Sequence, residues 1–151
     1  KCVSCNVSGL IVVDYPYPTN LDFAAKCKSK DITFIQLLAP TTSENRLNQI
    51  LKESHQILYF MSMSGVTGEK LKSSPENIIE KLNIIKSKTP DKKIILGFGI
   101  TPGNISEFKK TDGCVVGSAI CKQITDSIEN NANPVDKVKN MVINLKETIT
   151  K

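Results

Sequence analysis

The chain has 151 residues, 40% of them hydrophobic and 23% charged, with a formal net charge of +5 from 20 Lys+Arg against 15 Asp+Glu. That is the size of one domain able to bury a core, with ordinary globular values. The lysines are scattered, only Lys92-Lys93 and Lys109-Lys110 being adjacent, and tryptophan is absent, so the positive charge reads as a solvated surface and not as a nucleic-acid face.

Five cysteines exclude a fully paired disulfide framework. Cys2-x-x-Cys5 has no second CxxC to complete a metal site, and the only histidine, His55, is not spaced to help; a chance pair of small buried residues is expected. No stretch is long and apolar enough for a membrane span and no signal peptide is visible, so the expected location is the cytoplasm.

In chain order, short apolar runs alternate with amphipathic segments. The runs are Gly9–Val13, Ile32–Leu38, Ile57–Met61, Ile94–Leu96 and Cys114–Val116, read as strands covered on both faces, the first of them buried soon after Lys1. Thr41-Thr-Ser-Glu44 predicts a capping box, with Leu47, Ile50 and Leu51 on the buried face of the helix behind it. Ser73-Ser-Pro-Glu76 predicts another, followed by Ile78, Leu82 and Ile85. Thr101-Pro102 and Asn133-Pro134 each place a cap before a proline at the first helical position. After Asn133, the residues Val135, Val138, Val142, Leu145 and Ile149 predict a docking helix. The pattern is βα five times and a final helix, which means parallel strands with helical crossovers. Two architectures accept it: an open doubly wound sheet, or part of an eight-stranded (β/α)8 TIM barrel.

In both, function gathers at the C-terminal ends of the strands. Those ends carry Asp14-Tyr-Pro16, Ala39-Pro-Thr-Thr42, Ser62–Gly68, Gly97-Phe-Gly-Ile100 and Gly117-Ser118. Glycines running into helix starts let backbone N–H groups approach an anion, and two consecutive turns of this kind favour phosphate binding. The alternative is that Gly97, Gly99 and Gly117 simply permit tight turns. Neither a Walker loop nor a dinucleotide fingerprint is present. The catalytic inventory is thin: one carboxylate at the strand ends, Asp14, and no histidine. His55 falls before a strand, away from the site, and Ser62, Ser64, Thr67 and Ser118 have no base beside them. The residues alone describe the phosphate-binding half of an α/β enzyme with its catalyst elsewhere.

The motifs also resemble a known family. Gly9-Leu-Ile-Val-Val-Asp-Tyr-Pro16 is similar to the fourth strand of tryptophan synthase alpha subunits, and Leu38-Ala-Pro-Thr-Thr42 to the end of their fifth. Ser64-Gly-Val-Thr-Gly68 resembles their sixth loop, Gly97-Phe-Gly-Ile100 their seventh turn, and Gly113–Ile120 their eighth strand and phosphate loop. The resemblance runs from about Val3 to about Ile128. It implies a single partial TIM-barrel domain over 1–151: about five parallel strands, helical crossovers and a C-terminal helix, with the family's first three strands absent.

The resemblance implies that Gly68, Gly99, Gly117 and Ser118 hold the phosphate of indole-3-glycerol phosphate. Phe98 and Ile100 would lie near the glycerol phosphate, Ile11, Val13, Ile35 and Tyr59 would wall the indole pocket, and Thr67 would help close the sixth loop. It also implies retro-aldol cleavage to indole and glyceraldehyde 3-phosphate, and a beta subunit as partner. That beta subunit would carry pyridoxal phosphate, leaving this chain without a cofactor or metal. The family's catalytic glutamate and aspartate lie upstream of these motifs, so the chain alone is expected to be inactive. Tyr15 replaces the family's leucine, a departure that puts a bulkier ring at a strand end. Three other readings stand beside this one: another phosphate-binding barrel enzyme such as phosphoribosylanthranilate isomerase or ribulose-phosphate epimerase, a non-catalytic phosphate-ligand-binding half-barrel, and a gene fragment.

Overall fold

Each strand pairs in parallel with its neighbour in the chain. In the computed structural model, which describes residues 1–62 and 74–150, β1 (Gly9–Leu10) pairs with β2 (Thr33–Phe34). A second sheet runs in the order β3 (Gln36–Leu38), β4 (Ile57–Met61), β5 (Lys93–Gly97) and β6 (Gly113–Cys114). The expected Ile32–Leu38 strand is thus split at Ile35, whose N–H still reaches Leu10 O at 2.9 Å. Its first half serves β1 and its second half β4. A doubly wound sheet reverses its strand order at a switch point, whereas a barrel does not. Within each sheet the strands follow chain order without such a reversal, and the split strand β2/β3 joins the two, which is the order of a barrel segment.

Burial separates the two faces of the sheet. Phe34, Leu38, Leu58, Phe60, Ile94 and Leu96 are buried and point to the helices. Thr33, Ile35, Leu37 and Ile95 alternate with them and are only half-buried. The expectation of strands covered on both faces is corrected: only the helix side is fully covered, and β1, with one neighbour, is a short half-exposed edge. Each large apolar side chain on the covered side contributes about 1.5–3 kcal/mol by leaving water.

Helices α1 (Leu21–Lys28), α2 (Glu44–Glu53) and α3 (Pro75–Lys88) supply that cover. Leu47, Ile50 and Leu51 of α2 and Ile78, Leu82 and Ile85 of α3 are buried, as their spacing predicts. The starts differ from expectation. Thr42 turns its hydroxyl back to accept the Ala39 N–H at 3.0 Å, so α2 begins after Ser43 and no capping box forms at Thr41. Ser74 caps α3 by accepting Asn77 N–H, with Pro75 at the first helical position. The helix expected after Thr101-Pro102 is reduced to one 3-10 turn, Ile105–Phe108, although Asn104 accepts the Thr101 N–H as a capping side chain would.

The last elements are α4 (Ser118–Glu129) and α5 (Pro134–Thr150). Asn133 caps α5 by accepting Val135 N–H at 3.0 Å. Its inward stripe is Met141, Leu145 and Ile149 with half-buried Val138; Val135 and Val142, expected to dock, are exposed. Cys5 is exposed as well, contrary to a buried Cys2–Cys5 pair. No helix among the described residues is long and apolar enough to cross a membrane.

At the opposite end of the strands, His55 Nδ1 accepts the Phe34 N–H at 3.0 Å. Asp112 receives the Ile94 N–H at 2.9 Å and lies within ion-pair reach of Lys86 and Lys93. Both tie strand starts together, in keeping with the stabilising role of that face.

Candidate functional site

Three features meet at the C-terminal ends of the strands: a cleft beyond β1 and β3, a strained turn after β5, and the open start of α4. The cleft has a volume of about 510 Å³ and is lined on one wall by Val13, Asp14 and Tyr15 and on the other by Ile35, Leu37 and Met61. Among the described residues, Asp14 is the one carboxylate that lines it, and Arg46 the one cation. Arg46 spends one guanidinium N–H on Tyr17 O at 2.9 Å. Tyr15 is not thrust across the cleft. Its ring turns toward α1 and meets Phe23 edge-on, 5.9 Å between centroids.

Tyr59, on the half-open face of β4, carries its hydroxyl over Gly97. A side chain at residue 97 would place Cβ 1.8 Å from that oxygen, so only glycine fits beneath the ring. Burial pushes the Tyr59 phenol above its ordinary value, keeping it a neutral hydroxyl. The ring meets Phe98 edge-on at 6.4 Å.

The turn that follows, Phe98-Gly99, has φ of 69° and 67° at its two residues. Glycine adopts this left-handed region freely, whereas phenylalanine there costs about 1–2 kcal/mol. Two side chains hold it. Ser62, fully buried, donates its hydroxyl to Gly97 O at 2.8 Å and shares it with Phe98 O. Asn104 donates to Gly99 O at 2.9 Å and accepts the Thr101 N–H at 2.8 Å. Neither role was evident from sequence: Ser62 reads as a hydroxyl without a base, although Thr101-x-x-Asn104 has the spacing of a bracketed turn.

Gly117 has a different reason for being glycine. Its φ is −115°, open to any residue, and among the described residues an added Cβ would meet nothing within 4 Å. Neither the turn nor the packing demands it. What it leaves is free room in front of α4, whose first N–H groups, from Ser118 on, precede the first helical bond to Gly117 O, from Ile120 N at 2.9 Å. Such groups with space before them suit an anion.

Of the residues proposed from sequence, Val13 and Ile35 share the cleft, and Tyr59 and Phe98 pack together over Gly97. Gly99, Gly117 and Ser118 lie at the ends of the adjacent strands β5 and β6. Ile11 is 45% exposed and does not line the cleft, and Ile100 is buried in the helix-side core. Thr67 and Gly68 lie outside the described residues. His55 is at the far end, as its place before a strand predicts. Among the described residues, no group of three or more His, Cys, Asp and Glu could hold a metal ion.

Comparison with known proteins adds the family. The family model for the tryptophan synthase alpha chain matches residues 1–150. The tryptophan synthase alpha chain of Pelagibacter ubique (strain HTCC1062) is 50% identical over 149 residues, which cover 99% of this chain and 56% of that one. That of Petrotoga mobilis is 33% identical over 156 residues, 97% of this chain and 57% of that one. The crystal structure of tryptophan synthase subunit alpha from Legionella pneumophila str. Paris superposes with a TM-score of 0.81 at 23% identity, covering 98% of this chain and 54% of that one. That likeness confirms the partial-barrel fold. The chain spans about half the length of the curated relatives it matches.

Proposed function

The chain belongs to the tryptophan synthase alpha chain family, and from that premise we propose that it carries the phosphate- and indole-binding half of a lyase that cleaves indole-3-glycerol phosphate. The observation that carries this reading is the start of α4. Gly117 is a glycine that neither backbone nor packing requires, beside the braced Phe98-Gly99 turn of the neighbouring strand. Phosphate bound between Gly99, Gly117 and Ser118 would lie about 10–15 Å, two to three strand spacings, from the β3 cleft. An indole ring joined to phosphate by a three-carbon chain can bridge that distance, with the ring among Val13, Ile35 and Tyr59. On this reading Gly68 joins the phosphate site and Thr67 the closing loop.

Cleavage needs proton transfer to the ring and from a glycerol hydroxyl. Among the described residues Asp14 is the one carboxylate lining the cleft, and a lone carboxylate does not make the acid–base pair this requires. The 151-residue chain is therefore expected to bind and orient the substrate without releasing indole, the family's glutamate and aspartate supplying the chemistry. A beta subunit is the expected partner and the bearer of pyridoxal phosphate, and no cofactor is assigned to this chain. The five free thiols fit a reducing cytoplasm.

The test is an indole-release assay on the purified chain, with and without a beta subunit, together with binding of indole-3-glycerol phosphate to wild type and Gly117→Asp. The expected result is no release, and binding that disappears in the variant while its unfolding midpoint stays put. Release at an enzyme-like rate would overturn the account of the missing acid–base pair; equal binding by both proteins would overturn the phosphate site.

A further inference from the structure

The turn that forms one wall of the cleft is held from beneath by two buried amides. Asn20 is 1% exposed and Gln36 4%. Asn20 Nδ2 donates to Gln36 Oε1 and to Tyr15 O, each at 2.9 Å, and Gln36 Nε2 donates back to Asn20 Oδ1 at 3.2 Å. The backbone N–H of Asn20 also reaches Pro16 O at 3.3 Å. Between these anchors lies Asp14, with φ of 63°, followed by Tyr15 and Pro16.

A buried amide pair is a poor way to fill a core. For the bonds between the two amides, apolar side chains of similar volume would be about as stable, because removing both partners of a hydrogen bond leaves neither unsatisfied. What an apolar pair cannot supply is a donor at a fixed point for Tyr15 O. Gln36, on β3, orients Asn20; Asn20, just ahead of α1, holds the Tyr15 carbonyl; and that carbonyl fixes the turn carrying Asp14 into the cleft.

We propose that Asn20 and Gln36 are positioning residues that set the Asp14–Pro16 turn, and with it the fit of a ligand ring in the cleft. The second half of this inference rests on the ring-pocket reading above; the first half stands without it. Asn20 is assigned no contact with ligand, since both N–H groups of its Nδ2 are already committed.

The test compares wild type with Asn20→Leu/Gln36→Met, in which the volume is kept and the donor removed. Three quantities are measured: the urea midpoint, amide hydrogen exchange at residues 20 and 21, whose N–H groups bond Pro16 O and Pro18 O, and affinity for indole-3-glycerol phosphate beside inorganic phosphate. At an unchanged midpoint, exchange in the turn is expected to rise about tenfold relative to β4, as befits loss of one buried anchor. Affinity for the indole compound falls by a similar factor and that for inorganic phosphate does not. Unchanged exchange at matched stability overturns the proposal. Should the double variant unfold, Asn20→Ala is read by the same exchange: loosening confined to the amides of residues 20 and 21 supports positioning, whereas uniform loosening means a purely structural role. If exchange rises as expected but wild type binds no indole compound, the clamp stands and the ring-pocket reading fails.

Discussion

Replacing Gly97 by alanine puts a methyl carbon 1.8 Å from the Tyr59 hydroxyl oxygen, 2.2 Å from Cζ and 2.8 Å from Cε1. Carbon–carbon contacts that short do not persist, so the ring must leave. Its way out is restricted, because Tyr59 lies edge-on against Phe98, whose backbone is already left-handed at φ 69°. Ring and turn must move together, which places the cost at the upper end of overpacking, about 3 kcal/mol. Tyr59→Phe would not relieve it, since Cζ remains at 2.2 Å. Tyr59→Leu would, because every clashing atom lies beyond the leucine's reach, though it costs about 1–3 kcal/mol by itself. Gly97→Ala/Tyr59→Leu is therefore expected to be destabilised by about 2 kcal/mol less than the sum of its single variants. Urea unfolding followed by far-UV circular dichroism measures all four corners of the cycle, provided the slope stays constant. Additivity within about 0.5 kcal/mol, or a Gly97→Ala protein as stable as wild type, would refute the close fit of Tyr59 over Gly97.

Three further outcomes follow from side chains that brace strand ends. His55 accepts Phe34 N–H in its neutral form, and burial, then Lys28 and Lys92, hold its pKa below the ordinary value against an opposing bond with the Ala24 backbone. The unfolded chain thus takes up a proton first: this stability is complete above about pH 6.5 and declines as pH falls from there toward the lowered folded value. His55→Gln should flatten that part of a urea-midpoint-against-pH curve. Asp112 is pushed up by burial, but Ile94 N–H and the charges of Lys86 and Lys93 outweigh this and set its pKa below the ordinary value. Its contribution is present above about pH 3.9 and fades as pH falls through the folded value, so Asp112→Asn should lose stability at neutral pH and show a shallower acid transition. Asn104→Ala removes both brackets from the Gly99–Thr101 turn; calorimetry should show phosphate-ligand affinity falling about tenfold, with a stability loss of about 1–2 kcal/mol.

The sequence reveals most of the framework because the helix-side pattern is dictated by burial. Leu47, Ile50 and Leu51, or Ile78, Leu82 and Ile85, stand where a helix must face a sheet, and all six are buried. Gly99 is legible for a similar reason, since few residues other than glycine belong at a left-handed turn. What sequence does not show is the work of polar side chains over long separations. Ser62 reaches the carbonyls of the β5 turn, 35 and 36 residues away. Asn20 and Gln36 find each other across 16 residues. Local rules misled at Thr41, where the Thr42 hydroxyl turns back to the Ala39 N–H and the helix begins only after Ser43. The inner face misled for another reason. Apolarity promises a covering but does not say which chain segment provides it, and Ile35, Leu37 and Ile95 are only half-buried here.

The three glycines of the last two turns separate the causes that sequence runs together. Gly97 is required by packing, because Tyr59 occupies the space of a side chain. Gly99 is required by conformation, with φ of 67°. Gly117 is required by neither, having an ordinary φ of −115° and, among the described residues, no atom within 4 Å of an added Cβ. If all three served only to make turns, alanine at any of them would cost stability and nothing more. If Gly117 keeps room for an anion, the outcomes diverge. Gly97→Ala loses about 3 kcal/mol and Gly99→Ala about 1–2 kcal/mol. Gly117→Ala stays within about 1 kcal/mol of wild type, yet it weakens phosphate binding by narrowing the approach to the α4 N–H groups. Stability and phosphate affinity measured on the same three variants decide between these accounts. A Gly117→Ala protein that binds phosphate as wild type does would return Gly117 to the role of a simple turn residue.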